Sequence, residues 1–195
     1  MQKEKWDKQV KDLTRCMEKE LDEKRFRHTM SVAQTAACMA MRYDVDPYKA
    51  YVAGLLHDCA KCIKNKKKLE LAEMYDIPVS APAKENPDLL HAPLGSVLAK
   101  ERYGITDPEI LSAIMYHTTG KPNMTKLEMI LYIADYIEIH RKMLPLLERA
   151  RSLAFVSLEE CMCVILESTL SYLGKNGAML DPMTKETLTY YNNLN

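Results

Sequence analysis

The chain predicts an all-α fold, a single-domain helical bundle with a metal site held between its helices. Three observations carry that prediction. Helix punctuation recurs along the chain, with Asp-Pro starts at Asp46-Pro47 and Asp107-Pro108 and capping patterns at Thr125-x-x-Glu128 and Ser157-x-x-Glu160. No segment sustains period-two alternation. His57 and Asp58 stand side by side where an apolar run (Ala50, Tyr51, Val52, Ala53, Leu55, Leu56) asks for more core, and buried charges are normally paired or metal-bound.

The composition sets bounds. The chain's 195 residues fit one domain able to bury its own core. Lys+Arg and Asp+Glu balance at 27 each, so no global positive field argues for nucleic acid as a partner. An anionic ligand must therefore be held by local charge. No apolar run reaches the ~18 residues of a membrane span, and the charged start (Lys3, Glu4, Lys5) shows no signal peptide. These features predict a cytoplasmic protein with no membrane partner. Its Met- and Leu-rich helices serve a core or a second copy, which leaves a homodimer open. Among the six cysteines, Cys59/Cys62 and Cys161/Cys163 allow a thiolate zinc site on paper. Small apolar residues fit the same helical positions, and reduced core thiols are the default.

In chain order, residues from about Trp6 to Leu21 make a charged amphipathic helix with Val10, Leu13 and Met17 on one stripe, an N-terminal buttress over 1–21. The core runs from about 22 to 175. An Ala- and Met-rich helix follows Asp22 and ends near Tyr43, with His28 near its start. Asp46-Pro47 opens a helix expected to reach about Ile63 and to carry His57, Asp58 and Lys61. Lys64, Lys66, Lys67 and Lys68 read as a solvated helix end, and Arg25 likewise as surface charge. A short helix at 67–76 leads into a stretch punctuated by Pro78, Pro82 and Pro87. His91 stands at the start of a helix stopped by Gly104, and His117 at the end of the one opened by Asp107-Pro108. Asp135 is a lone carboxylate inside the apolar run launched by Thr125. A long helix reaches about Leu173, and 177–195 is expected to be a peripheral tail.

His28, His57-Asp58, His91, His117 and Asp135 all sit at helix ends or inside apolar helical runs. Imidazole and carboxylate together suit iron, manganese, cobalt or zinc. Asp58 is the natural bridge between two ions, and two ions ~3.5–4 Å apart form a clamp for in-line displacement at phosphorus by a bridging hydroxide. A polyphosphate also needs cations beside the metals.

The order His…His-Asp…His…His…Asp resembles the HD-domain superfamily of metal-dependent phosphohydrolases in its six-ligand form. Phe26-Arg27-His28-Thr29, Gly54-Leu55-Leu56-His57-Asp58-Cys59-Ala60-Lys61, Tyr116-His117-Thr118-Thr119-Gly120 and Ala134-Asp135-Tyr136-Ile137-Glu138-x-x-Arg141 are similar to the bacterial YqeK family, symmetrical diadenosine tetraphosphate hydrolases with a di-iron centre. One departure is Ile139, where that family usually has Pro. The resemblance implies that His28, His57 and Asp135 hold one metal ion and His91 and His117 the other, with Asp58 bridging. Iron is the metal it suggests. It implies further that Arg27, Lys61, Thr118, Gly120 and Arg141 contact phosphates or ribose, and that Asp58 and Lys61 are catalytic. The implied reaction is hydrolysis of a dinucleoside tetraphosphate to two nucleoside diphosphates. The residues alone leave open another nucleotide substrate (of a nucleotidase, phosphodiesterase or guanosine-tetraphosphate hydrolase), or a nucleotide-binding sensor without turnover.

Overall fold

The computed structural model describes residues 2–175 and 181–193, and among them there are helices and no strand. The N-terminal helix α1 (Gln2–Glu20) buries Leu13 and Met17, and its Trp6 stacks on Tyr48 with ring centroids 4.6 Å apart. It packs on the bundle as a buttress. Helix α2 (Glu23–Arg42) is capped by Asp22, whose side chain accepts the Arg25 N–H, and it turns a face of Val32, Ala33, Ala36, Met39 and Ala40 into the core.

Those small residues explain how α2 meets α3 (Pro47–Leu56). A Cβ placed on Gly54 would stand 2.6 Å from the Ala33 Cα, closer than real Cβ contacts come, so the two backbones touch only because position 54 has no side chain. Helix α8 (Lys126–Ile137), capped by the Thr125/Glu128 box, is buried continuously from Leu127 through Ala134. A helix apolar all round belongs at the centre. Around it pack α2, α3, α7 (Pro108–Tyr116) and α10 (Leu158–Lys175), and α6 (His91–Glu101) lies on α7.

Four differences from the sequence expectations stand out. Helix α3 stops at Leu56, not near Ile63. In a continued helix the Gly54 carbonyl would accept the Asp58 N–H, but the His57 ring takes it instead, Nδ1 to O at 2.6 Å. The chain then tightens into three-residue turns, Cys59 N–H to Leu56 O and Lys61 N–H to Asp58 O. The proline-punctuated stretch carries a helix of its own, α5 (Ala81–Glu85), and a 3-10 turn at Pro87–Leu90, capped by Ser80 and Asn86. It follows α4 (Asn65–Met74). A short helix α9 (Leu147–Leu153) occupies the segment after Arg141.

The fourth concerns the C-terminal segment. Residues 176–180 lie outside the described residues, but Asp181 caps α11 (Pro182–Asn192), which buries Thr187 and Tyr191. The Tyr191 hydroxyl accepts the Met124 N–H at 3.2 Å. This segment is packed, not peripheral.

Candidate metal centre

Three helix ends and the second turn of a fourth helix bring the histidines together, and the end of a fifth adds Asp135. His57 follows the last residue of α3, His91 is the first residue of α6, His117 follows the last residue of α7, and His28 lies in the second turn of α2. Asp135 comes from the last turn of α8. His28, His57, Asp58, His91 and His117 are all buried.

The orientation of each ring is fixed from behind. His57 Nδ1 lies 2.6 Å from Gly54 O, His91 Nδ1 2.5 Å from Asp88 O and His117 Nδ1 2.7 Å from Ile114 O. A carbonyl only accepts, so these three Nδ1 atoms carry the proton and donate it. His28 Nδ1 donates in the same way to Glu138 Oε1 at 3.0 Å. With Nδ1 engaged in each ring, Nε2 is the nitrogen turned toward the centre.

What the Nε2 atoms meet there is informative. His91 Nε2 and His117 Nε2 are 3.2 Å apart. Burial holds the His117 ring down to about 3 and the His91 ring below its usual value, so both are neutral at neutral pH. Two lone pairs at that separation repel unless a cation lies between them. The spacing is also what two nitrogens ~2.1 Å from one ion subtend. His28 Nε2 and His57 Nε2 are buried without a hydrogen-bond partner, although carboxylate oxygens of Asp135 and Asp58 lie 3.0 and 3.3 Å away. Donors converging on donors is the pattern of a metal shell, held by outer partners that fix each imidazole.

Asp58 stands at the middle, and its two oxygens face different partners. Oδ2 is 3.3 Å from His57 Nε2 and 3.8 Å from His28 Nε2, while Oδ1 is 3.4 Å from His91 Nε2 and 3.9 Å from His117 Nε2. Two groups of donors able to hold an ion, His28/His57/Asp58 and Asp58/His91/His117, thus share one carboxylate. Burial works to raise the Asp58 pKa, but His57 beside it outweighs burial and holds the carboxyl well below the usual carboxylate range, with the Arg25 guanidinium 2.6 Å from Oδ2. Burial likewise opposes ionisation of Asp135, which Arg141 and His28 hold well below the usual carboxylate range. At His57 burial pushes downward and Asp58 and Asp135 push upward, with a net rise, so a proton competes with an ion for that nitrogen.

A cavity of about 270 Å³ opens onto this cluster, and Lys61, Thr118 and Arg141 are among the residues that line it. Arg27 is exposed and lines a neighbouring cavity of about 400 Å³ with Lys24, Arg25, Arg141 and Lys142. Gly120 is not among the residues lining the cavity at the cluster; it is buried with φ +64°, and a Cβ there would meet Thr187 of α11 at 2.7 Å, so the turn and the close approach require a residue without a side chain.

Four residues of the site were passed over or misjudged in the sequence. Arg25, expected at the surface, binds Asp58 Oδ2 through Nη1 at 2.6 Å. Its place one helical turn before His28 was the available signal. Glu138, at i+3 from Asp135, is the partner of His28. Lys68 is buried, not solvated, and binds Asp88, which in turn binds Lys61. The cysteines stand apart from the centre: Cys59 Sγ donates to Gly95 O, Cys161 Sγ donates to Ala150 O, and Cys62 is exposed.

The HD domain family model matches residues 25–139, the span that contains all six predicted ligands. The chain belongs to the HD domain family. Over 177 residues it is 35% identical to the symmetrical bis(5'-nucleosyl)-tetraphosphatase of Bacillus subtilis (strain 168), covering 91% of this chain and 92% of that one. The Staphylococcus aureus protein of the same name is 34% identical over 185 residues, 94% of each chain. A crystal structure from Clostridium acetobutylicum, described as a predicted HD superfamily hydrolase involved in NAD metabolism, superposes with a TM-score of 0.91 at 35% identity, covering 95% of this chain and 97% of that one. The YqeK-type resemblance of the motifs agrees with these relatives, and this HD domain carries the His/Asp cluster of a metal-binding member. Among the described residues, no helix is long and apolar enough to cross a membrane.

Proposed function

We propose that this HD domain hydrolyses dinucleoside tetraphosphates symmetrically, taking diadenosine tetraphosphate to two ADP at a centre of two metal ions. The observation that carries it is Asp58, with one oxygen on each of two donor groups and Lys61, Arg25 and Arg141 beside it. The B. subtilis and S. aureus relatives supply the substrate class by name. In this proposal His28, His57 and Asp135 would hold one ion, His91 and His117 the second, and Asp58 would serve both. Iron is the metal we favour, from the family resemblance, within a His/carboxylate set that also admits manganese, cobalt and zinc.

When bound, the ions supply Lewis acidity at the phosphoryl oxygens and lower the pKa of water. The protein supplies the rest. Arg141 and Arg25, at the junction of the two cavities, hold the phosphate chain across the cluster, and Thr118 donates to a phosphate oxygen. Arg27 meets the half that extends into the neighbouring cavity. A water oxygen bonds to one inner phosphorus as that atom's bond to the central bridging oxygen breaks, the water's protons pass to solvent, and the bridging oxygen leaves with the other diphosphate. Lys61 offsets its charge. A nucleoside diphosphate leaves as a stable anion, so no strong general acid is required. Such a substrate fits a cytoplasmic protein.

Product separation tests this directly. Metal-loaded protein incubated with diadenosine tetraphosphate is expected to yield ADP alone. AMP with ATP would overturn the symmetrical assignment, and no turnover with intact metal would favour a sensor.

A further inference from the structure

Lys68 is among the largest wholly buried side chains of the molecule, 1% exposed, and the reaction above makes no use of it. Lysine is almost never fully buried unless paired. Its Nζ binds Asp88 Oδ1 at 2.6 Å and the Lys61 backbone carbonyl at 3.1 Å. The other Asp88 oxygen binds Lys61 Nζ, also at 2.6 Å. Lys61 Nζ then sits 3.4 Å from His91 Nδ1 and faces the cavity, its side chain 23% exposed.

For stability alone this is a costly way to fill position 68, because an apolar residue of similar volume commonly does as well as a buried ion pair. The charge arithmetic gives it another use. Lys61 paired with Asp88 by itself would be neutralised, and the cavity would lose the cation that a polyphosphate needs. With Lys68 behind it, one carboxylate is shared between two ammonium groups and the triad keeps a net charge of +1 at its open end. The carboxylate is also pinned from a buried point, which fixes where Lys61 can stand.

We propose that Lys68 and Asp88 are positioning residues, which hold Lys61 in place and keep it electropositive toward the anionic substrate. The proposal rests on the phosphohydrolase reading of the site, and its test has an arm that does not depend on turnover.

That test is a cycle on the metal-loaded protein, reading kcat and KM on diadenosine tetraphosphate, the Kd for ADP by calorimetry, metal content and Tm. Lys68→Met removes the shared cation and leaves Lys61 neutralised. It is expected to keep its metal and its Tm, to bind ADP about 10-fold more weakly and to lose about 10-fold in kcat/KM. Asp88→Asn spares the backbone carbonyl that orients His91, so metal content should hold. The double variant Lys68→Met/Asp88→Asn again leaves Lys61 with net +1 and should recover ADP affinity to within about 3-fold of wild type, while kcat stays low because Lys61 is no longer pinned. Recovery in the double variant is the decisive sign, since residues with a merely structural role would not compensate each other in ligand affinity. Unchanged ADP affinity in Lys68→Met, or a double variant no better than the worse single one, overturns the proposal. Should Lys68→Met fail to fold, the double variant alone decides: ADP affinity near wild type supports the proposal and a 10-fold loss refutes it. Wild-type protein that binds ADP without cleaving the tetraphosphate would instead count against the proposed function, with the affinity arm still readable.

Discussion

The two sides of Asp58 are built differently. On the Oδ1 side, His91 and His117 are each tied to a backbone carbonyl one turn back, at Asp88 and Ile114. On the Oδ2 side, side chains do most of the holding. Glu138 grips His28, Arg25 sits on Asp58 itself, and Arg141 lies 3.6 Å from Asp135, with only His57 on a backbone carbonyl. A carbonyl at a helix end cannot be removed by substitution, whereas a carboxylate can. One half of the centre is therefore written into the helix termini, and the other depends on individual side chains.

Removing the shared residue should abolish the contrast altogether. Asp58→Ala takes an oxygen from both groups and is expected to cost about 10³-fold or more in turnover; kinetics within 10-fold of wild type would detach Asp58 from the chemistry. Glu138→Gln should separate the halves. It weakens the grip on His28 alone, so one class of metal is expected to weaken by about 10–100-fold while the other holds. Metal titration followed by calorimetry would show two classes diverging, and an equal weakening of both would deny the asymmetry. Gly54→Ala acts on the bundle beneath both halves. The clash with Ala33 should cost about 1–3 kcal/mol, read as a lower midpoint in urea.

The smallest effect concerns acid. Burial alone would raise the Asp88 pKa, but Lys61 and Lys68 bring it down to about 2 from an ordinary 3.8. A depressed folded-state pKa contributes stability above the unfolded value and loses it as pH falls through the folded one. Asp88 should therefore add to acid sensitivity between about pH 4 and 2, and Asp88→Asn should flatten that part of the stability profile.

The same asymmetry governs what the sequence could reveal. Helix ends carry local signals, so the starts at Pro47, Pro108 and Lys126 are legible, and with them His117 at the end of α7, whereas the expected continuation of α3 to about Ile63 hid that His57 follows its last residue. Asp181-Pro182 carries the same signal as Asp46-Pro47, and α11 was legible by it. Partnerships between side chains distant in sequence leave no such trace. Arg25 is 33 residues from Asp58 and Lys68 is 20 from Asp88, and a lysine run looks the same whether or not one member folds inward. Gly120 shows the same limit. The motif marks the residue, but only the position of Thr187 shows why a side chain is excluded there.

Elemental analysis of purified wild type beside His117→Ala and His28→Ala tests the shared-carboxylate centre most directly. Two equivalents of metal in the wild type, falling to one in each variant, are the expected result. A single equivalent in the wild type that survives His117→Ala would contradict it.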